Sequence, residues 1–310
     1  MTVADPTAVR TAPVRPGEPE ATASAKFLVG LIGEGIQGSR SPALHEQEGR
    51  RLGLSLHYQL IDVAKARRTV AELPLLLEAA QIMGFAGLNI THPFKQAVLP
   101  LLDQLSADAR AIGAVNTVVF RDGKREGHNT DWSGFATPFK SKLSDVSVDR
   151  VVLMGAGGAG AAVAHAALTL GAKSLAIVDP DAAKASQLST SLNERFGAGR
   201  ASAVGDPRAA IVAANGIINA TPIGMTGHPG TPFDTSWLQA RQWVAEIVYF
   251  PLETALLHAA RSRGCRTLDG GGMAVWQAVG AFKLFTGVDP EPARMETHFR
   301  NLVSSSTTLS

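Results

Sequence analysis

The sequence predicts an α/β protein of two domains with a cleft between them, and three observations carry that expectation. Short apolar runs alternate with helix-compatible segments twice along the chain, once before and once after about residue 131. The second alternation opens on VVLMGAGGAG, an apolar run that passes directly into a glycine-rich turn. The length, 310 residues, is long for one core but comfortable for two, each able to bury enough apolar surface without disulfides. The expected division is a tail over 1–26, an N-terminal α/β domain over 27–131 plus 271–310, and a Rossmann-like domain over 132–270.

The first 26 residues, MTVADPTAVRTAPVRPGEPEATASAK, carry Pro, Ala, Thr and mixed charge but no apolar core segment, which predicts a disordered tail rather than a signal peptide. FLVGLIG (27–33) and LHYQLIDV (56–63) predict strands, with a helix from about Pro42 to Leu52 between them. AELPLLLEAAQIMGF predicts an amphipathic helix and AGLNIT a strand. HPFKQAVLPLLDQL predicts one or two helices opened by Pro93, whose missing N–H costs nothing in a first turn. This strand–helix rhythm predicts a mainly parallel sheet. NTVVF, RDGK and REGHNTD follow, with Asp122-Gly123 as a hairpin signal. In the second half VVLM, SLAIVD, GIINAT, WVAEIVY and CRTLDG predict a second parallel sheet. MAVWQAVGAFKLFTG predicts a helix that crosses back over the first domain, and the closing NLVSSSTTLS is expected to fray.

With 45% apolar residues, 18% charged residues and a formal charge of +2, the chain has the composition of an ordinary soluble protein, and no basic stripe points to nucleic acid. Residues 151–172 contain no Asp, Glu, Lys or Arg and have the length of a membrane span. Their Gly and Ala content instead predicts a buried strand, a turn and a closely packed helix, so no membrane partner is expected. A single cysteine, Cys265, excludes an internal disulfide, and without a Cys/His cluster no metal site is expected. A reducing cytoplasm is the expected compartment, and a monomer or homodimer the expected assembly.

Gly155, Gly157 and Gly160 form G-x-G-x-x-G, with Ala156, Gly158 and Ala159 between them, after a predicted strand and at the start of a predicted helix. Glycines so placed allow a tight turn and bring backbone N–H groups to a pyrophosphate at the positive end of a helix dipole. The pattern alone also fits close helix-to-sheet packing. Asp179, about 20 residues on at a strand end, adds a carboxylate able to accept both adenosine ribose hydroxyls. That carboxylate would repel a 2′-phosphate, and DPDAAKA holds no Arg to attract one, its nearest cation being Lys184. NAD is therefore the expected cofactor.

Asn89, Thr91, His92 and Lys95 fall within seven positions. A lone lysine is usually the solvated face of a helix, but Asn89 and Thr91 alternate with apolar Leu88 and Ile90, which turns both polar groups one way at the C-terminal edge of a strand. Ligands bind at that edge in parallel sheets. Asn116 and Asp131 each lie beside a segment expected to enter or leave the sheet, so a lysine and a carboxylate can meet at the cleft.

Taken in order, SRSPALHE, GLNITHPFKQAV, GAVNTVV, GHNTDWSGF, GAGGAG, NATPIGM, YFPLETALL and GMAVWQA resemble the shikimate dehydrogenase family from Leu28 to about Gly287. GHPG after NATPIGM, the DGGGMAVWQA ending and Asp179 look most like its NAD-preferring quinate/shikimate branch. The resemblance implies hydride transfer between NAD and the C3 hydroxyl or keto group of shikimate and the equivalent group of quinate. It implies Lys95 and Asp131 as the catalytic pair, and Ser39 and Ser41 as holders of the substrate carboxylate. Asn89, Thr91, Asn116 and Gln277 would bind ring hydroxyls, with Tyr249 nearby. For the cofactor it adds Thr221, Met225, Gly270 and Met273 to the glycine turn. Two departures, Glu46 where many shikimate-specific members have Asn and Asp179 in place of an Asn-Arg-Thr NADP reader, point away from the biosynthetic NADP enzyme. Lys95 either takes the hydroxyl proton itself or stays charged beside the developing alkoxide while Asp131 or a water relays the proton. The competing readings are an NADP-dependent shikimate or aminoshikimate dehydrogenase and a non-catalytic sensor of quinate-like ligands.

Overall fold

The computed structural model describes residues 25–307. The tail expected over 1–26 lies outside the described residues up to position 24, and Lys26 already opens the first strand. The first half runs β1 (Lys26–Gly33), α1 (Ser41–Arg51), β2 (Ser55–Asp62), α2 (Leu73–Ile82), β3 (Gly87–Ile90), α3 (Phe94–Ala97), β4 (Gln104–Leu105), α4 (Ala107–Ile112), β5 (Thr117–Arg121) and β6 (Lys124–His128). Its sheet has the order β2-β1-β3-β5-β6-β4. β1 pairs parallel with β2 and β3, but β5 runs antiparallel to β3 and β6. The two-residue turn at Asp122-Gly123, where both residues have positive φ as the hairpin signal requires, sets β6 antiparallel to β5. HPFKQAVLPLLDQL forms less helix than expected: a single turn at α3, then a 3₁₀ turn at Leu99–Leu101 and the short β4.

α5 (Asp131–Lys142) leads into the second half, β7 (Arg150–Met154), α6 (Gly158–Thr169), β8 (Ser174–Val178), α7 (Ala182–Phe196), β9 (Ala201–Ala203), α8 (Pro207–Ala213), β10 (Gly216–Asn219), β11 (Trp243–Glu246), α9 (Ala255–Ser262) and β12 (Arg266–Leu268). The sheet order is β12-β11-β10-β7-β8-β9, every pairing parallel. Succession therefore reverses at β7, so the β7/β10 boundary is the crevice where doubly wound sheets take a ligand.

Two helices join the halves. α5 buries Phe135 and Phe139 against Val151 and Trp243 of the second sheet. α10 (Gly270–Thr286) crosses back as expected: Phe285 occupies the space a side chain on Gly87 of β3 would need, its ring lying 2.5 Å from where that Cβ would stand. The two helices approach closely at Gly134, where an added Cβ would lie 2.9 Å from the Gln277 nitrogen. The fraying expected over NLVSSSTTLS is overturned for most of that segment, because α11 (Pro292–Thr307) continues through it. Met295, Phe299 and Val303 pack on Leu44, Val275 and Ala278. At roughly 1.5–3 kcal/mol per buried side chain, those three outweigh the low helix propensity of the serine run. Glu48 of α1, itself buried, accepts from the Arg294 guanidinium and the Glu291 N–H and pins the start of this helix.

Candidate active site

The first sheet delivers one connected hydrogen-bond chain to its C-terminal edge. The Tyr58 hydroxyl donates to Asn89 Oδ1 at 2.7 Å, and Asn89 Nδ2 donates to Thr117 Oγ1 at 3.1 Å and to the Asn116 carbonyl at 3.2 Å. Thr117 Oγ1 donates to Asn116 Oδ1 at 3.1 Å. Asn116 Nδ2 then reaches Thr130 Oγ1 at 2.8 Å and Asp131 Oδ1 at 2.9 Å. The other carboxylate oxygen, Asp131 Oδ2, takes Lys95 Nζ at 2.6 Å, with the two side chains 7% and 15% exposed. A buried polar array of this kind is stable because its donors meet acceptors, and it leaves the ammonium and carboxylate as the groups nearest open space.

Local sequence explains the placement. Asn129 Oδ1 accepts the N–H groups of Asp131 and Trp132, which starts α5 with Asp131 at its first position. The Lys95 carbonyl accepts from Val115 N, so α3 and the entry to β5 are held together. The lysine stem lies on Gly158, the first residue of α6: a Cβ there would stand 3.0 Å from Lys95 Cβ and 3.2 Å from Cδ. The lysine is therefore one of the points where the two halves touch, directly beside the glycine turn.

Ser39 Oγ accepts from Ser41 N at 3.3 Å, and Ser41 opens α1 beside the Tyr58 hydroxyl. Thr91 lies one residue past β3 with its methyl over Gly33. Gln277 sits on α10 against Gly134, one turn along from Asp131, and its amide donates to the Ala274 carbonyl. Tyr249 faces the same space from the second half. It keeps 37% of its surface open, yet enough protein surrounds it that burial raises its phenol pKa, as expected of a side chain lining a cleft. Next to it the Phe250 ring lies 5.5 Å from the Arg40 guanidinium carbon, a cation–π contact across the mouth. Glu46 is turned away from this space, accepting Tyr58 N at 3.0 Å.

On the second sheet Gly155 has φ of +99° and passes against the Ala220 carbonyl, and an added Cβ on Gly160 would stand 2.1 Å from the Gly155 carbonyl oxygen. Neither position tolerates a side chain, whereas a Cβ on Gly157 would meet nothing within 4 Å. Asp179 Oδ2 accepts Ala156 N at 2.7 Å and Oδ1 accepts Asp181 N at 2.9 Å, fixing the carboxylate beside the turn. Lys184 is paired with Asp181 at 3.7 Å. Thr221 N and Oγ1 donate to Asn219 Oδ1, and Met225 stands exposed at the end of the same loop. Gly270 begins α10 against the Ile247 and Val248 carbonyls, while Met273 is buried in the apolar core with Phe135 and Ile218.

Sequence reasoning did not single out Asp62, at the end of β2. Its carboxylate accepts Gly35 N, Ile36 N, Gln37 Nε2, Ala64 N and Lys65 N at 3.1–3.3 Å, so it shapes the loop that leads to Ser39 and Ser41. Burial pushes its pKa up, but the Gln37 amide and the backbone N–H groups outweigh burial and hold it below the usual aspartate value. Asp62→Asn, which removes the charge and one acceptor oxygen, is expected to raise KM for the substrate of this cleft about tenfold, the equivalent of ~1.5 kcal/mol. Nucleotide KM should stay within about twofold in the same steady-state assay. Equal effects on both would show that the loop serves the whole fold rather than one ligand.

A family model described as the shikimate dehydrogenase substrate binding domain matches residues 31–118. The shikimate dehydrogenase (NADP(+)) of Streptomyces avermitilis is 54% identical over 272 residues, covering 87% of this chain and 93% of that protein. The quinate/shikimate dehydrogenase (NAD(+)) of Corynebacterium efficiens is 50% identical over 280 residues, covering 89% and 98%. Among solved structures, quinate dehydrogenase from Corynebacterium glutamicum in complex with NAD superposes with a TM-score of 0.85 at 48% identity, covering 90% of this chain and 100% of that one. Similarity of this depth, along nearly the full length of both partners, means that the chain belongs to the shikimate dehydrogenase family.

Proposed function

We propose that the protein is a dehydrogenase that oxidises a ring hydroxyl of shikimate and quinate and reduces the corresponding ketones, with NAD as its cofactor. The observation that carries this reading is the Lys95–Asp131 pair at 2.6 Å, set beside the first residue of α6 at the dinucleotide crevice. The residues present fit a dinucleotide. Gly155 and Gly160 allow the tight turn, Gly157 leaves open space above it, and the start of α6 directs N–H groups there. When bound, the nicotinamide accepts or supplies the hydride. Lys95 and Asp131 hold a proton at the reacting oxygen: the ammonium can donate to an alkoxide, and the carboxylate can exchange that proton with the lysine or a water. Asn89, Asn116, Thr91 and Gln277 orient the ring hydroxyls, and Ser39 and Ser41 receive the carboxylate. No helix among the described residues is long and apolar enough to cross a membrane, and no group of three metal-binding side chains occurs among them.

The domain scheme proposed with this reading is 27–131 plus 271–310 against 132–270, supported by the two separate sheets. A cytoplasmic location and a monomeric or homodimeric state are part of the same proposal.

NAD is favoured over NADP by Asp179, whose two oxygens are already fixed by backbone N–H groups so that its charge faces any 2′-phosphate, and by the engagement of Lys184 with Asp181. The name of the Streptomyces relative favours the second reading, NADP. Measuring kcat/KM for shikimate and quinate with each cofactor separates the two. The expected result is turnover of both acids with an NAD preference, and a shift of the NAD-to-NADP ratio by about tenfold toward NADP in Asp179→Asn, the size of a ~1.4 kcal/mol change. A parent that prefers NADP, or a ratio untouched by the substitution, would overturn the cofactor assignment. Absence of turnover with either cofactor would leave the sensor reading in place.

A further inference from the structure

The C-terminal edge of the second sheet holds a buried carboxylate that the chemistry above does not use. Glu246 ends β11 and is 1% exposed. It stands directly across the parallel pairing from Asn219, the last residue of β10. Asn219 Nδ2 donates to both carboxylate oxygens, at 2.9 and 3.1 Å, and to the Ile223 carbonyl at 3.0 Å. Val248 N donates to Oε1 and the Thr254 hydroxyl to Oε2, each at 3.1 Å. The opposite end of the same amide, Asn219 Oδ1, accepts Thr221 N at 3.1 Å and Thr221 Oγ1 at 2.7 Å. Thr221 N in turn lies 3.1 Å from where a Cβ on Gly155 would stand, so the loop after β10 and the glycine turn after β7 are the two lips of the β7/β10 crevice.

An amide has a donor end and an acceptor end, and only its partners decide which way it points. Glu246, accepting only when ionised, admits just the donor end of Asn219, which leaves the acceptor end for Thr221. We propose that Glu246 is the positioning residue for the 220–225 loop, and that its carboxylate form holds this loop in the shape that seats the nucleotide. A protonated Glu246 carries a donor of its own that opposes the Nδ2 end of Asn219; reversal relieves that conflict at the cost of the bond to the Ile223 carbonyl, and the reversed amide presents N–H to the Thr221 N–H. The loop then loses its anchor and nucleotide affinity falls. The inference rests on reading the crevice as the nucleotide seat.

Burial raises the Glu246 pKa to about 7, against the lowering effect of its hydrogen bonds from Asn219, Val248 and Thr254. The groups in direct contact with it are neutral. Titratable groups on the neighbouring elements are Asp269, which caps α10 through Gly271 N, Tyr249, the Glu253–Arg261 ion pair that spans α9, and the exposed His228 and His258. Histidine is the side-chain type whose charge ordinarily changes near neutrality, so the variant below must separate any histidine contribution from that of Glu246.

The experiment is a fluorescence titration of the full chain with NADH from pH 6 to pH 8, for the parent and for Glu246→Gln, with thermal unfolding at pH 8 to verify the fold. If binding requires the carboxylate form, the parent's Kd is about tenfold weaker at pH 6 than at pH 8, since the competent fraction falls by that factor. Glu246→Gln, a permanent mimic of the protonated acid, is expected to bind weakly and evenly across the range, with kcat at saturating nucleotide close to that of the parent. A parent profile that is flat overturns the inference whether or not the variant folds, as does a variant that keeps the parent's slope, which would assign it to the histidines. If the parent binds no NADH at any pH, the nucleotide reading itself fails and the inference falls with it.

Discussion

Lys95→Met is expected to lower kcat by a factor on the order of 10² to 10⁴, the range for a lost proton-transfer group, with the NADH dissociation constant within about threefold of the parent's. Methionine keeps most of the stem that packs on Gly158, so the contact between the two halves should survive. What disappears is the charged partner of Asp131 Oδ2; Asn116 Nδ2 still serves Oδ1. Asp131→Asn should fall in the same range, because the carboxylate orients the ammonium and exchanges its proton. Since the two groups act as a unit, the double variant should be little worse than either single one. Single-turnover measurement of hydride transfer at saturating NAD and substrate checks the set. Near-parental turnover in Lys95→Met, or additive losses in the double variant, would remove the pair from the chemistry.

Much of this site was legible in advance because its residues carry chemistry that the bland reading does not need. A strand that alternates Leu88 and Ile90 with Asn89 and Thr91, followed by a lysine, has no packing reason for its polar members. GAGGAG after VVLM fits one strand–turn–helix geometry, and the observed φ at Gly155 and the close approach at Gly160 are its physical content. The parallel pairing of the second sheet follows from its strand–helix alternation, since strands joined by a crossover helix run the same way, whereas the order of the strands does not. The missing pieces share a different cause. Asp62 and Glu246 are single acids at strand ends whose partners are brought by the fold, the N–H groups of Gly35 and Ile36 for Asp62 and the Asn219 amide and Thr254 hydroxyl for Glu246, and no periodicity points to either set. Tyr58, Thr117 and Thr130 enter the polar chain only through side-chain contacts with Asn89 or Asn116, made where separate elements meet at the sheet edge. The final helix departs from its local composition, because Val303 is buried against Leu44 of α1 and Val275 and Ala278 of α10 while Asn301 and Ser304 stay exposed.

Acidification is expected to unfold the substrate-holding half through His45. This imidazole is fully buried on α1, its ring 4.7 Å from Tyr58 and 6.1 Å from Phe282 between centroids. Nδ1 donates to the Ser41 carbonyl at 2.9 Å, and Nε2 has no partner among the described residues, so the neutral ring pairs its one N–H and the protonated one would place a charge and a bare N–H in an apolar wall. Burial lowers its pKa from 6.5 to about 4, against a smaller opposing effect of the Ser41 hydrogen bond. Between those two values the unfolded chain holds a proton that the folded one refuses. Stability from this group is therefore complete above about pH 6.5, declines as pH falls through the window, and is lost below about 4, a total on the order of 3 kcal/mol. Burial lowers His128 and His165 as well, so the acid limb as a whole is steeper and only a difference isolates His45. Urea unfolding of the parent and of His45→Leu at pH 7.5, 5.5 and 4 supplies that difference. At pH 7.5 the variant should be less stable by about 1–2 kcal/mol, since the Ser41 carbonyl loses its donor. By pH 4 the gap should close or reverse, because leucine has no proton to take up. Because the ring holds the carbonyl of Ser41, the loosening should begin at the end of α1 that faces the cleft, so KM for the acid substrate should rise in the parent at pH values where the fold is still intact. Parallel stability curves for the two proteins would show that His45 titrates without consequence.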